Sequence, residues 1–133
     1  MLLVDRRGLP LSIDTESANV NEVKLIERLV DRSLISEVPP ERLIYDKAAD
    51  SNPLRARMAA GGIDLICPTR KNRKHGPMPD KRKLRRYKRR WIVERTIGWL
   101  HNFRRTVVRW EYHAHLFKAF VQLAATVILL NRF

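Results

Sequence analysis

Short apolar runs mark the candidate strands of this chain. Residues 2–4 and 9–13 form two such runs, and a turn containing Gly8 separates them. This pattern predicts a β-hairpin, because glycine allows the positive φ that tight turns require. Residues 42–46 and 63–67 form two further apolar runs that end at an acid or before a proline. They predict two more buried strands.

Helical spacing of apolar residues marks the other elements. Residues 21–32 predict a first helix with Asn21 as its N-cap, and residues 52–62 predict a second helix that opens on Asn-Pro and closes on Gly-Gly. Residues 80–103 predict one long helix, residues 107–112 a turn or short strand, and residues 116–131 a last helix. Strands that alternate with helices indicate an α/β domain with a mixed sheet.

Positive charge sets this chain apart from an ordinary domain of 133 residues. Its net charge is +13, and residues 70–90 contain twelve Lys or Arg and one acid. Residues 70–80 contain glycine and prolines and predict a basic loop that leads into the long helix. Such charge is typical of proteins that bind nucleic acid, and an anionic membrane surface is the second candidate.

Several classes of protein do not fit the sequence. Cys67 is the single cysteine, so no intrachain disulfide is possible, and its apolar neighbours favour a buried inert thiol. The first residues do not resemble a signal peptide, and the apolar stretch 119–130 is shorter than the roughly 20 residues of a membrane helix. His113 and His115 have no nearby Cys or His that would complete a zinc site. We therefore expect a cytoplasmic protein without a membrane partner.

Asp46 is the first candidate for chemistry, because it follows a predicted strand. Ligands of open α/β sheets gather at the carboxyl ends of strands, and a carboxylate there can hold Mg²⁺ through oxygen. A turn or helix-cap aspartate is the alternative, and from position alone it is the more frequent of the two. Asp50 competes for the role, but capping the next helix explains it.

Glu94 is the second candidate. At 100° per residue, Tyr87, Arg90, Glu94 and His101 share one narrow face of the predicted long helix. The alternative is a surface ion pair between Arg90 and Glu94, which are four residues apart. Periodicity alone favours this second interpretation.

The stretch from Tyr87 to Leu100 resembles the motif Y-x2-R-x3-E-x6-K of bacterial insertion-sequence DDE transposases. Tyr87, Arg90 and Glu94 match it, and His101 replaces the lysine. Further resemblances lie in other segments in the same order. These are the hairpin at 2–11, residues 17–20, residues 44–51 with Ala48-Ala49 in place of Gly-Tyr, residues 103–105 and residues 119–124.

The resemblance implies an RNase H-like fold in which three acids bind two divalent ions, Mg²⁺ or Mn²⁺. Asp46 corresponds to the second acid and Glu94 to the third, and we expect their carboxylates on the order of 4–8 Å apart. The first strand and its aspartate are expected before residue 1. Residues 1–133 would then be a partial catalytic domain that is inactive alone. The residues expected to contact DNA are Tyr87, Arg90 and His101 of the motif, with Arg85, Arg86, Lys88 and Arg89.

The predicted function is therefore DNA transposition as part of a complete bacterial enzyme near the nucleoid. Its predicted partners are double-stranded DNA at the element's ends and target, an upstream-frame transposase polypeptide, and a second copy in a homodimer. A remnant, an incorrectly assigned start and a frameshift product all remain open. The alternative function is a non-catalytic basic nucleic-acid-binding protein.

Overall fold

The computed structural model describes residues 1–16, 19–33, 38–70 and 80–132, and it forms a mixed α/β arrangement. The strands are β1 (Leu2–Val4), β2 (Pro10–Ile13), β3 (Arg42–Ile44) and β4 (Asp64–Ile66). The α-helices are α1 (Val23–Asp31), α2 (Asn52–Ala60), α3 (Lys81–Leu84), α4 (Trp91–Leu100), α5 (Arg104–Val107) and α6 (Ala114–Leu130). Two 3₁₀ helices complete the set, a short one at Lys47–Ala49 and a basic one at Arg85–Arg90.

The strands form two separate pairs among the described residues. β1 and β2 are the antiparallel hairpin that the sequence predicts, and β3 and β4 are parallel. The described residues therefore form two small sheets and not one continuous mixed sheet, because β1 and β3 are not hydrogen-bonded to each other. A groove with a volume of about 570 Å³ lies between them and is lined by both strands.

Two apolar clusters flank the hairpin. The first lies between α1, α2 and the parallel pair, and Leu3 packs against it. The second lies between α4 and α6, and Leu2 packs against it. Because neighbouring residues of a strand point to opposite faces, β1 is sandwiched between two layers of helices.

Gly8 fastens the hairpin turn to α4. Its φ is +89°, and its carbonyl accepts a hydrogen bond of 2.7 Å from the hydroxyl of Thr96, which is fully buried. A Cβ atom on Gly8 would lie 2.9 Å from that hydroxyl oxygen and 2.9 Å from a guanidinium nitrogen of Arg95. The turn therefore needs glycine both for its backbone conformation and for its close approach to the helix.

The predicted helix at 80–103 is three helical segments in sequence. α3 and α4 are joined by the basic 3₁₀ helix, in which Tyr87 and Arg90 are half-buried and the four residues Arg85, Arg86, Lys88 and Arg89 are exposed. A 3₁₀ helix has three residues per turn, so it aligns every third residue on the buried side. The prediction of one regular α-helix missed this change of period, and the helix ends at Leu100.

The remaining predictions concern the second half of the chain, and they have different outcomes. Arg104–Val107 is a short helix, and the described residues after it contain no strand before α6 begins at Ala114. The predicted basic loop falls largely on residues 71–79, which lie outside the described residues. In the part of the chain that the structure describes, no helix is long and apolar enough to cross a membrane.

Candidate active site and DNA-binding surface

Asp46 lies two residues beyond the end of β3. The backbone N–H of Tyr45 donates to the carbonyl of Ile66, so strand pairing continues to the residue before Asp46. The Oδ1 atom of Asp46 accepts a hydrogen bond of 2.7 Å from the N–H of Ala48 and caps the short 3₁₀ helix. The carboxylate therefore has the capping role that the sequence left open, and it also lines the groove between β1 and β3.

The sequence predicted that Asp50 caps the helix that follows it, and this prediction is wrong. Ser51 is the N-cap of α2, and its hydroxyl accepts from the N–H of Leu54 at 3.5 Å. The Asp50 side chain is buried beside the guanidinium of Arg55 at 3.3 Å, and it accepts a 2.8 Å hydrogen bond from the N–H of Arg70. Asp50 thus joins α2 to the segment that follows β4.

The three matching residues of the motif are linked by contacts. Arg90 donates a hydrogen bond of 3.1 Å to the hydroxyl of Tyr87, three residues earlier on the 3₁₀ helix. A second nitrogen of Arg90 lies 3.6 Å from Glu94 Oε1, and 60% of the Glu94 side chain is exposed. This is the ion pair that the sequence offered as the alternative role of Glu94. An exposed pair of this kind contributes about 0.5 kcal/mol or less to stability.

Arg90 also lies in the electrostatic field of both candidate acids. The hydrogen bond to Tyr87 raises the pKa of Arg90, and the charges of Asp46 and Glu94 raise it further. Arg90 and Asp46 both line the groove between β1 and β3. One guanidinium therefore compensates part of the charge of two acids from distant parts of the chain.

Tyr45 lies between these charges. Its hydroxyl donates a hydrogen bond of 3.2 Å to Glu22. Burial raises the pKa of Tyr45, and the neighbouring charges of Glu22 and Asp46 raise it further. Tyr45 therefore stays protonated at neutral pH and serves as a hydrogen-bond donor.

The described residues do not by themselves fit a two-metal centre. They contain no group of three or more Asp, Glu, His or Cys side chains placed to hold a metal ion. Asp46 is already engaged with a backbone N–H, and Glu94 is paired with a cation. Two mutually repelling divalent ions need more carboxylate charge than these two residues provide.

A basic ridge lies on the outer side of the 3₁₀ helix at Arg85–Arg90. It consists of Arg85, Arg86, Lys88 and Arg89, which are all exposed. Leu84, Tyr87 and Arg90 of the same helical run are half-buried. Because these side chains point away from the core, they can contact phosphates without disturbing the fold. His101 is also exposed and follows the last residue of α4.

Sequence reasoning missed an aromatic clamp on α4. The guanidinium of Arg95 lies 4.8 Å from the ring centre of Trp91 and 4.7 Å from that of Trp99. Arg132 covers the ring of Trp99 at 4.0 Å. The spacing of four residues between Trp91, Arg95 and Trp99 was the signal, since such residues are neighbours on one helix face. The clamp holds Arg95 next to the hairpin turn, where it donates to the carbonyl of Arg7.

Comparison with known proteins identifies the family. A sequence profile of the family described as Transposase DDE domain matches residues 1–130. A protein of Burkholderia cepacia that is assigned as the transposase of insertion sequence element IS402 is 32% identical over 142 residues. That alignment covers 98% of this chain and 61% of the relative, so the chain spans about three fifths of the relative's length. No solved structure matches the chain. The chain belongs to the family of insertion-sequence transposases with a DDE domain.

Proposed function

We propose that the chain is the part of an insertion-sequence transposase that binds DNA through the basic ridge and supplies two of the catalytic acids. The observation that carries this proposal is the linked series Tyr87, Arg90 and Glu94 directly beside the ridge. A motif whose members contact one another next to a cationic surface suits an enzyme that acts on a phosphate backbone.

An RNase H-like arrangement of the complete domain is part of this proposal. The hairpin, the parallel pair β3–β4 and helices on both faces of β1 are compatible with that fold. Family membership supports it independently. Determining the structure of the complete protein would test whether one more strand joins the two pairs into a single sheet.

The proposed reaction is phosphodiester cleavage and strand transfer at the element's ends. Asp46 and Glu94 are the proposed ligands of divalent ions, Mg²⁺ or Mn²⁺, in the complete enzyme. The ions would supply activation of the attacking oxygen and stabilisation of the leaving oxygen. Since the described residues alone do not fit such a centre, we expect the chain on its own to be inactive.

Arg90 has a proposed positioning role in this site. It holds Glu94 by an ion pair and lies in the field of Asp46, so its charge acts on both acids before any ion binds. Binding of a divalent ion would compete with Arg90 for Glu94. We therefore expect Arg90 to turn towards DNA phosphate when the site is complete.

A non-catalytic DNA-binding protein is the second candidate function. It is favoured by the capping role of Asp46 and the ion pair of Glu94, which account for both acids without metal chemistry. The two candidates differ in what the acids do in the longer protein. Only the transposase requires both carboxylates for metal-dependent cleavage.

A salt titration tests the DNA-binding part of the proposal. Binding of a labelled duplex would be measured by fluorescence anisotropy at several salt concentrations, with all four residues of the basic ridge changed to Gln. If every ridge residue contacts a phosphate, the slope of log K against log salt falls by about 0.9 for each residue removed. Affinity should fall equally for unrelated duplex sequences, because phosphate contacts carry no sequence information.

The matched control removes the same charge elsewhere. Arg6, Arg7, Lys24 and Arg104 are also exposed, and changing them to Gln leaves the same net charge as the ridge variant. The control should keep most of the salt slope of the unmodified chain. Equal losses in the two variants would show that total charge, and not the ridge, determines binding.

A homodimer of the complete enzyme is also part of the proposal. The surface that would form it is the exposed apolar face of α6, which includes Leu123 and Leu130. Light scattering of the complete enzyme with Leu123→Lys would test this contact, and an unchanged mass would rule the face out.

A further inference from the structure

Two aromatic side chains between α5 and α6 are largely exposed to solvent. Trp110 is 70% exposed and Tyr112 is 91% exposed, and Val107 and Val108 just before them are more than half exposed. In the part of the chain that the structure describes, these two rings belong to neither apolar cluster and do not line the groove. A contiguous apolar surface of this kind marks a contact site for another molecule.

The segment that carries the two rings is ordered by its own polar contacts. Only 7% of the Glu111 side chain is exposed, and its carboxylate lies 3.0 Å from a guanidinium nitrogen of Arg105. The other carboxylate oxygen of Glu111 accepts a 3.2 Å hydrogen bond from the N–H of Trp110. Arg109 donates to the carbonyls of Glu111 and Tyr112 at 3.0 and 2.7 Å. Exposure thus alternates along residues 110–112, so both rings project to the outer side while the acid between them points inward.

Tyr112 is supported by two histidines at the start of α6. His113 meets the Tyr112 ring edge to face, with ring centres 5.0 Å apart, and His115 stacks on His113 at 5.3 Å. Contacts between neighbouring rings restrict the rotation of Tyr112, so less conformational entropy is lost when the ring binds a ligand.

The surroundings of the two rings are positively charged. Residues 104–112 contain three arginines and one acid. The acid is Glu111, and its charge is compensated by Arg105. Arg104 and Arg109 are exposed cations beside the rings. Rings beside cations are typical of surfaces that bind unpaired nucleic acid, because rings stack on bases while cations attract phosphates.

The rings and the basic ridge lie towards opposite ends of α4. The ridge precedes Trp91, the first residue of α4. Thr106 of α5 donates to the carbonyls of Leu100 and Phe103, which fastens α5 to the end of α4. The ten residues of α4 span about 15 Å, which equals about four to five base pairs of duplex. This distance allows one DNA molecule to contact the ridge with duplex phosphates and the rings with nearby unpaired bases.

We propose that Trp110 and Tyr112 form a ring platform that binds unpaired DNA bases by stacking. The proposal rests on the proposed function only for the choice of DNA as the partner. Anionic membranes also attract arginines and aromatic rings, but the family profile that matches the chain describes a transposase, whose substrate is DNA. A second copy of the chain fits this surface less well, because its own arginines would repel those beside the rings.

A comparison of single-stranded with duplex DNA tests the ring platform. Fluorescence anisotropy would measure binding of the full chain to labelled oligothymidine and to a duplex of the same length. The test variant combines Trp110→Leu with Tyr112→Leu, which removes both rings but keeps apolar side chains. Stacking contributes roughly tenfold in affinity for each base, so this variant should bind oligothymidine at least about tenfold more weakly. Duplex binding should change by less than about twofold, because the bases of a duplex are already stacked and phosphate contacts dominate.

Variants that keep the rings provide the matched control. Trp110→Phe combined with Tyr112→Phe should retain most of the affinity for oligothymidine, since both residues can still stack. A base that stacks on Trp110 should quench part of the tryptophan fluorescence, and Trp110→Phe alone should lose that part of the quenching. Because both side chains are exposed, urea unfolding of all these variants should match that of the unmodified chain.

Several results would overturn the ring platform. Normal binding of oligothymidine by the leucine variant would do so, and so would an equal loss for oligothymidine and duplex. Binding to vesicles of anionic lipid that depends on the rings, while oligothymidine binding does not, would identify a membrane as the partner instead. The glutamine variant of the basic ridge separates this test from that of the proposed function. Its normal binding to duplex would contradict the role of the ridge, whereas the ring platform is judged by the selective loss of oligothymidine binding.

Discussion

Replacing Gly8 by Ala tests how the hairpin is held against the helix that carries Glu94. The new Cβ would meet the Thr96 hydroxyl and the Arg95 guanidinium at 2.9 Å each, a distance that requires a shift of the neighbours. The hydroxyl of Thr96 also donates to the Gly8 carbonyl, so a shift of the turn would stretch a buried hydrogen bond. Both effects add to the strain of the positive φ.

The expected magnitude follows from these three terms. An L-residue at a left-handed φ costs about 1–2 kcal/mol. Overpacking at a tight contact costs about 1–3 kcal/mol, and part of a hydrogen bond contributes up to about 1 kcal/mol. We expect Gly8→Ala to lower the free energy of unfolding by about 2–6 kcal/mol, a large share of the roughly 5–15 kcal/mol of an ordinary domain.

Gly62 offers a matched control for the backbone term. Its φ is +76°, and a Cβ there would meet nothing within 4 Å. Gly62→Ala should therefore show the strain alone, about 1–2 kcal/mol. Urea unfolding of both variants, followed by tryptophan fluorescence, measures the difference. Equal losses at Gly8 and Gly62 would refute the claim that close packing on α4 holds the hairpin.

Three further changes probe other parts of the molecule. Asp14 is buried, with Lys118 at 2.8 Å and Arg28 at 2.6 Å; burial alone would raise the pKa of Asp14, but these hydrogen bonds outweigh it and lower the pKa. The ionised Asp14 therefore contributes its full stabilisation above about pH 4, and this contribution is lost as the pH falls through the lowered pKa of the folded state. In Asp14→Asn, the free energy of unfolding should consequently fall less steeply at acidic pH. Ser51→Ala removes the cap of α2 and should cost about 0.5–1 kcal/mol in urea unfolding. Cys67 is fully buried, so an aromatic disulfide reagent should react with it only at the rate of unfolding.

For each of these three changes, one outcome would contradict the structural reason given for it. An unchanged acid limb in Asp14→Asn would mean that the ion pairs do not persist in solution. A loss below about 0.2 kcal/mol in Ser51→Ala would fit the long cap distance of 3.5 Å better than a stabilising bond. Rapid labelling of Cys67 in the native chain would show that the first apolar cluster opens without global unfolding.

The local elements could be predicted from sequence because local rules determine them. Gly8 predicts the hairpin turn, and the short apolar runs predict the four strands of the described residues. The Asn-Pro and Gly-Gly pairs mark the start and the end of α2. The arrangement of those strands could not be predicted, because nothing local reveals the groove between β1 and β3. The close contact of Gly8 with Thr96 joins residues far apart in the chain, and no pattern near either residue indicates it.

The candidate site could also be predicted from the sequence only in part. The motif spacing places Tyr87, Arg90 and Glu94 together, and the contacts confirm that they are neighbours. The predicted helical period was wrong for the segment Arg85–Arg90. One half-buried residue follows every two exposed cations there, and this repeat of three residues fits a 3₁₀ helix better than an α-helix. The proximity of Asp46 and Glu94 within metal-bridging distance stays a prediction.

Cleavage by the complete transposase tests the central claim most directly. DNA carrying the element's ends would be incubated with Mg²⁺ or Mn²⁺ and protein in which Asp46→Asn or Glu94→Gln has been introduced. The controls are Asp31→Asn and Glu41→Gln, which change exposed acids of the same types that do not line the groove. We predict that either site variant abolishes cleavage while DNA binding persists, and that both controls remain active. Cleavage that survives in the Asp46 and Glu94 variants would contradict the assignment of these two residues as the catalytic acids.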